Sequence, residues 1–180
     1  IASYATDIDK SAADLDRTTQ YAKASQACYQ REFASLIQNR KANRINDTEG
    51  RKRLAEIVAG LNESNQLLGT VNGRLGENLN NYTQAYEQDL KQVGVQRSEV
   101  AAVVQPPKAT SKTGNKKGQA AGKTNTKVPT EAVATEKALQ NATDKKAEAQ
   151  QVAKAGVDQV NSMCNNPDMG DWAPVPCPNV

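Results

Sequence analysis

Two series of apolar residues recur every seven positions through the first part of the chain. The first series is Ile1, Ile8, Leu15, Ala22, Tyr29 and Leu36, and the second is Leu54, Leu61, Leu68, Leu75 and Tyr82. A sustained seven-residue period keeps one apolar seam on one side of a helix, and such a seam must face a partner. Each series therefore predicts a long helix.

The two series mirror each other about residue 45. The pairs Leu36–Leu54, Tyr29–Leu61, Ala22–Leu68, Leu15–Leu75 and Ile8–Tyr82 each have residue numbers that sum to 90. A flanking line that includes Phe33 and Ile57 obeys the same rule. This symmetry predicts an all-α protein with a long, coiled-coil-like antiparallel hairpin over residues 1–100 and a turn near 44–48. Asn46 or Asp47 is expected to cap the second helix.

The composition changes after the hairpin. Residues 101–129 are rich in Lys, Gly, Thr and Pro and are predicted to form a flexible linker, because they have too little apolar surface for a core. Residues 130–163 predict a third, Ala-rich helix that docks on the hairpin or on another chain. Its apolar face is Ala138, Ala142, Ala149, Val152, Ala153 and Val160. Residues 164–180 form a tail rich in Cys and Pro.

Four glycines interrupt the second predicted helix, namely Gly60, Gly69, Gly73 and Gly76. Each costs about 1 kcal/mol relative to alanine within a helix. They indicate a hinge or a groove where another helix approaches closely, or else a helix that tolerates glycine because its partner holds it.

The tail contains two of the three cysteines, Cys164 and Cys177, and the only tryptophan, Trp172. A disulfide between Cys164 and Cys177 would order this irregular segment, and it leaves Cys28 as an odd thiol. Such a disulfide is typical of an exported protein. Trp172 is expected either to pin the tail to the helices or to anchor a partner.

The linker is strongly basic. It holds six lysines and no acidic residue, although the net charge of the whole chain is only +3. These lysines are candidate contacts for a polyanion such as nucleic acid, acidic lipid or a cell-wall polymer; the alternative is a solvated spacer. They are Lys108, Lys112, Lys116, Lys117, Lys123 and Lys127.

The residues that most enzymes depend on are scarce. The chain has no histidine, the commonest general base and metal ligand, and its three cysteines are too few for a four-cysteine zinc site. A Gly118–Thr124 stretch resembles a phosphate-binding loop but has three residues between its glycines instead of four. The sequence therefore predicts no enzymatic activity, no cofactor and no small-molecule substrate.

Composition and periodicity together resemble those of small periplasmic coiled-coil proteins tethered by an N-terminal lipid or membrane anchor. That resemblance implies an exported cell-envelope scaffold, spacer or protein-binding module, whose partners are envelope components or further copies of itself. Membrane contact is expected only through an anchor upstream of Ile1. The alternatives are polyanion binding through the lysines and a helical-bundle subunit of a secretion system or pilus.

Overall fold

The computed structural model describes residues 4–105 and 128–172, and helices dominate this part of the chain. The helices are α1 (Ala5–Lys41), α2 (Asp47–Gln92), α3 (Arg97–Val104) and α4 (Thr130–Cys164), followed by a short 3₁₀ turn, Pro167–Met169. Of the described residues, 88% are helical and none lies in a strand. Because α1 and α2 pack against each other and a further long helix follows, the predicted fold class is confirmed.

The turn between α1 and α2 occupies residues 42–46. Asn43 adopts a left-handed backbone conformation with φ 57°, which asparagine tolerates better than most residues. The Asn46 side chain then accepts a hydrogen bond from the backbone N–H of Glu49 at 2.8 Å. This is the expected cap of the second helix.

The second helix ends earlier than the sequence analysis predicts. It stops at Gln92 instead of near residue 100, because Gly94 takes φ 72° and the Val95 N–H turns back to the Leu90 carbonyl at 3.0 Å. This is a Schellman termination, in which glycine adopts the left-handed conformation after the last helical turn. The chain then starts α3, which overlaps the beginning of the predicted linker. The rest of that linker, residues 106–127, lies outside the described residues.

The described part of the chain divides into two compact units. The first contains the described residues of 1–14 and 74–146, which supply the start of α1, the end of α2, all of α3 and the start of α4. Its buried residues include Ile8, Leu79, Tyr86, Leu90, Val100, Leu139 and Ala142. The Tyr86 hydroxyl donates to the Ala132 carbonyl at 3.2 Å and so joins α2 to α4.

In this unit the buried seam of α2 departs from the second series. Tyr82 is only half-buried, with its ring centroid 5.9 Å from that of Tyr4, whereas Leu79, Tyr86 and Leu90 are buried. A straight α-helix drifts by about 20° per heptad relative to a perfect 3.5-residue repeat, and this drift explains why a strict series loses its place toward the helix end.

The second unit comprises the described residues of 15–73 and 147–180. Its core cluster joins Phe33, Leu36 and Ile37 of α1 to Leu54, Ile57, Val58 and Leu61 of α2 and to Val160 and Met163 of α4. Phe33 and Ile57 thus share one cluster, as the mirror rule expects, and so do Leu36 and Leu54. Leu15 and Leu75 are both buried but belong to different units, so their pairing stays a prediction.

Within the second unit, α4 runs alongside α1 in the same direction. The Gln26 side chain donates to the Val152 carbonyl at 2.9 Å, and Lys23 pairs with Glu148 at 3.0 Å. The face of α4 that packs inward is the one predicted: Ala149, Val152 and Val160 are buried here, and Ala138 and Ala142 are buried in the first unit. Ala153 is half-buried.

Candidate functional site: the outer groove of the hairpin

The tail packs on the turn end of the hairpin through Trp172, whose ring is completely buried. Its indole N–H donates to the Asp47 carboxylate at 3.0 Å, and the Arg40 guanidinium lies 5.0 Å from the ring centroid. The six-membered ring lies so close to Gly50 that any side chain there would overlap it. We call this arrangement the tail clasp. In it Trp172 pins the tail, the first of the two predicted roles, and its ring is enclosed by its own chain.

Ion pairs surround the tail clasp. Lys41 pairs with Asp168 at 3.0 Å and Arg51 with Asp171 at 2.9 Å. These side chains are about half exposed or more, so each pair contributes only about 0–1 kcal/mol. Burial of the indole therefore dominates the energetics of the clasp.

The predicted disulfide lies partly outside the described residues, because Cys177 is not among them. Cys164 is half-buried and packs against the core cluster of the second unit. Cys28 is free and exposed, as expected for the odd thiol, and its sulfur lies 3.9 Å from the Glu32 carboxylate. The Cys164–Cys177 pairing stays a prediction.

The six linker lysines all fall outside the described residues, so the polyanion hypothesis also stays a prediction. Within the part of the chain that is described, no group of three or more cysteine or carboxylate side chains could hold a metal ion. Nor does any helix in that part have an apolar stretch long enough to cross a membrane.

A polar network in the first unit holds α3 in place. Arg97 donates two hydrogen bonds to the carboxylate of Glu136, at 3.0 and 3.2 Å, and Glu136 is buried. The Tyr86 hydroxyl shares its single proton between the Ala132 carbonyl and Glu136, whose carboxylate oxygen lies 3.1 Å away. Burial, with the negative charge of Glu136, raises the pKa of Tyr86 well above its ordinary value. This network is fully paired and links three helices, so its role is structural.

A long surface depression lies in the second unit, and no described residue fills it. We call it the outer groove: it lies between α1 and α2 and consists of three adjoining hollows of about 230, 360 and 360 Å³. Tyr29, Glu32, Leu36 and Arg53 each line more than one hollow. The full lining runs from Tyr21 to Asn39 on α1 and from Arg53 to Thr70 on α2.

The outer groove and α4 lie on different faces of the hairpin. On α1, the groove residues Tyr21, Ser25 and Glu32 lie about half a helical turn around from Lys23 and Gln26, which contact α4. On α2, Asn65 faces Gly156 of α4, whereas Glu63 and Leu67 line the groove. Packing of α4 therefore leaves the outer groove uncovered by the described residues of this unit.

Two large apolar side chains are exposed at one end of the groove. Tyr21 is 61% exposed and Leu67 is 48% exposed. The sequence analysis missed both, because each stands one position before a seam residue and so falls outside the seven-residue series. Their position beside the seam is the sequence feature that could have identified them, because apolar residues beside a seam widen the apolar face of a helix.

The charged side chains that line the outer groove are three carboxylates and two guanidinium groups, those of Arg31 and Arg53. Glu32 stands on α1, and Glu56 and Glu63 stand on α2. None of the ion pairs within residues 4–105 and 128–172 involves these three carboxylates. Burial raises the pKa of the Tyr29 hydroxyl in the groove, and the charges of Glu32 and Glu63 raise it further.

One polar atom in the groove has no hydrogen-bond partner among the described residues. Ser64 lines the hollow beside Tyr21 and Leu67 and is only 6% exposed, and its hydroxyl oxygen is the atom without such a partner. Buried hydroxyl groups are rarely left unpaired, because that costs about 1–3 kcal/mol.

Comparison of the chain with protein-family models, with curated proteins and with solved structures finds no match. The class that the fold and the site define is a helical hairpin with a third docked helix and a groove of mixed charge that the described residues leave open.

Proposed function

We propose that the protein is a non-enzymatic helical scaffold of a bacterial-type cell envelope that binds other proteins. The observation that carries this proposal is the outer groove. The apolar seams of α1, α2 and α4 are buried inside the chain, and the groove keeps two large apolar side chains at the surface. Tyr21 and Leu67 line the same hollow, and apolar side chains grouped at a surface depression favour protein binding.

The cell-envelope location rests on the tail. A Cys164–Cys177 disulfide, which belongs to this proposal, would close a short loop that contains Trp172 and persist only in an oxidising compartment. Mass mapping of the non-reduced protein tests it. We expect one peptide that links Cys164 to Cys177 and an alkylated Cys28. Three alkylated thiols in freshly exported protein would contradict the envelope location.

Photo-crosslinking in the native cell tests the binding role. A photoreactive residue at position 67, in the groove, is expected to capture a protein in the envelope fraction. Position 157 on α4 is the matched control, because Val157 has the same 48% exposure as Leu67 but lies on α4. Equal capture at the two positions, or capture at neither, would contradict the proposal.

The alternative function is polyanion binding through the six linker lysines. It is supported by the concentration of positive charge in a stretch without acidic residues. Binding of this kind releases counterions and must weaken steeply with salt. Replacement of all six lysines by glutamine would abolish it, and binding to DNA or acidic vesicles that survives this change would refute this alternative.

A further inference from the structure

We infer that the second half of α4 is a strap that opens from the hairpin, and that the tail clasp is the latch that keeps it closed. The strap comprises residues 147–164, all of which lie in the second unit. It packs along α1 and α2 and leads, through residues 165–171, into Trp172 of the clasp. This inference goes beyond the proposed binding role, because it concerns a motion of the chain itself.

Small side chains attach most of the strap to the hairpin. Its buried residues are Ala149, Val152, Gly156, Val160 and Met163. Of these, only Val160 and Met163, which lie near the clasp, belong to the core cluster of the second unit. Hydrophobic stabilisation is proportional to the apolar area removed from water, and alanine and glycine remove little. The apolar attachment of the strap is therefore concentrated at its clasp end.

A buried amide without hydrogen bonds weakens the middle of the strap interface. The Asn65 side chain of α2 lies so close to Gly156 that any side chain there would overlap it. The two polar atoms of this amide, Nδ2 and Oδ1, are both buried and have no hydrogen-bond partner among the described residues. Asn72, seven residues farther along α2 and so on the same face, has another buried oxygen without such a partner. These atoms destabilise the closed strap, because water can pair them only when the strap is open.

The polar contacts between the strap and α1 are ones that water replaces readily. The Gln26 side chain donates to the Val152 carbonyl at 2.9 Å, and the Gln159 side chain donates to the Gln26 carbonyl at 2.8 Å. Lys23 and Glu148 form an ion pair that solvent reaches on both sides. Neutral hydrogen bonds and exposed ion pairs exchange for contacts with water at a small net loss. Opening of the strap therefore forfeits little along this side.

The tail clasp supplies the strong attachment. The Trp172 ring is completely buried, and its indole N–H donates to Asp47 at 3.0 Å. The Arg40 guanidinium packs against the ring and donates to the Asp168 carbonyl at 3.1 Å. Tryptophan buries far more surface than the alanine and valine side chains of the strap. Release of Trp172 therefore removes the main contact that holds the strap, whereas the hairpin keeps its own seam between α1 and α2.

Native-state hydrogen exchange of the full chain, read by mass spectrometry after proteolysis, tests the strap. The slowest amides of residues 147–164 should exchange at least about tenfold faster than the slowest amides of residues 30–40 and 50–61, which hold the hairpin core. Exchange in the strap should also depend less steeply on urea, because its opening exposes less surface than global unfolding does.

Variants test the amide and the latch separately. Asn65→Leu keeps nearly the same shape but replaces the unpaired amide with methyl groups, so exchange in the strap should slow about tenfold or more. Asn81→Leu makes the same chemical change at an exposed position of α2 and should alter that rate less than about threefold. Trp172→Ala should accelerate exchange in the strap at least about tenfold. Trp172→Phe, a milder change that keeps a ring but loses the indole N–H, should act in the same direction.

Three results would overturn the inference. Equal rates for the slowest amides of the strap and of the hairpin, in the parent protein and in Trp172→Phe, would show that the strap and the hairpin open as one body. Exchange in the strap that Asn65→Leu leaves unchanged or accelerates would remove the amide as its weak point. Exchange in the strap that neither substitution of Trp172 alters would show that the clasp is not its latch.

Discussion

The contact between Gly50 and Trp172 predicts that Gly50→Ala changes the free energy of unfolding in opposite directions, depending on whether Trp172 is present. In the intact protein, a methyl group at position 50 would overlap the six-membered ring of the indole. Alanine is favoured over glycine in a helix by about 1 kcal/mol, but overpacking a buried site costs about 1–3 kcal/mol. We therefore expect Gly50→Ala to lower the free energy of unfolding by about 1 kcal/mol.

The same substitution should stabilise a protein that lacks the indole. Trp172→Ala alone is expected to cost about 3–5 kcal/mol, because the ring is fully buried. Once the ring is gone, the methyl group at position 50 meets no obstacle and its helix preference of about 1 kcal/mol remains. The two substitutions should thus couple by about 2 kcal/mol, within the range for residues in contact.

Urea denaturation of the four proteins in this double-mutant cycle, followed by far-ultraviolet circular dichroism, measures the coupling. Trp172 is the only tryptophan in the chain, so its fluorescence reports the clasp separately in the two proteins that retain it. Additive effects, within about 0.5 kcal/mol, would refute the packing of the tail on α2. A Tyr21→Ala control, at an exposed aromatic residue, should change stability by less than about 0.5 kcal/mol.

Three further outcomes follow from other contacts. Gly69→Ala should raise the free energy of unfolding by about 1 kcal/mol in urea denaturation, because no described atom lies near the added methyl group. Gly60→Ala should not raise it, because the added methyl group would displace Tyr29. Arg97→Met should cost about 1–3 kcal/mol, since it removes two hydrogen bonds from the buried Glu136 carboxylate while solvent already reaches Arg97. Hydrogen exchange over residues 97–104 should accelerate, and unchanged exchange there would contradict the role of the pair. Because folding raises the pKa of Tyr86 above 10.0, the stabilisation that its protonated hydroxyl gives to the folded state is complete below pH 10 and is lost as pH rises further. In Tyr86→Phe the melting temperature should therefore fall less steeply above that pH.

The hairpin could be predicted from the sequence because its signal is periodic and redundant. Leu54, Leu61 and Leu68 are spaced by seven and have mirror partners at the same spacing, so both the helices and their register follow from one pattern. The burial of this series and the shared cluster of Phe33 and Ile57 match it. The buried alanine positions of α4 were predictable because they also recur at helical spacing.

Features that depend on one unusual backbone residue or on distant contacts were harder to predict. Gly94 ends α2 in a left-handed conformation, but five glycines earlier in the same helix do not end it, so glycine alone is ambiguous. The fit of Trp172 over Gly50 joins residues more than a hundred positions apart, and no local pattern encodes it. The outer groove depends on which side of the hairpin α4 covers, and the amphipathic pattern of α4 alone does not specify that side.

The parallel course of α1 and α4 in the second unit has a consequence for folding. The turn joins α1 to α2 directly, so contacts near the turn require only a short loop to close. The Gln26–Val152 and Asp47–Trp172 contacts, by contrast, join residues 126 and 125 positions apart. Each doubling of loop length adds about 0.6 kcal/mol of closure entropy, so the turn end of the hairpin should form first and provide the surface on which α4 and the tail assemble. Pulsed hydrogen exchange during refolding should protect the residues on either side of the turn before those of α4.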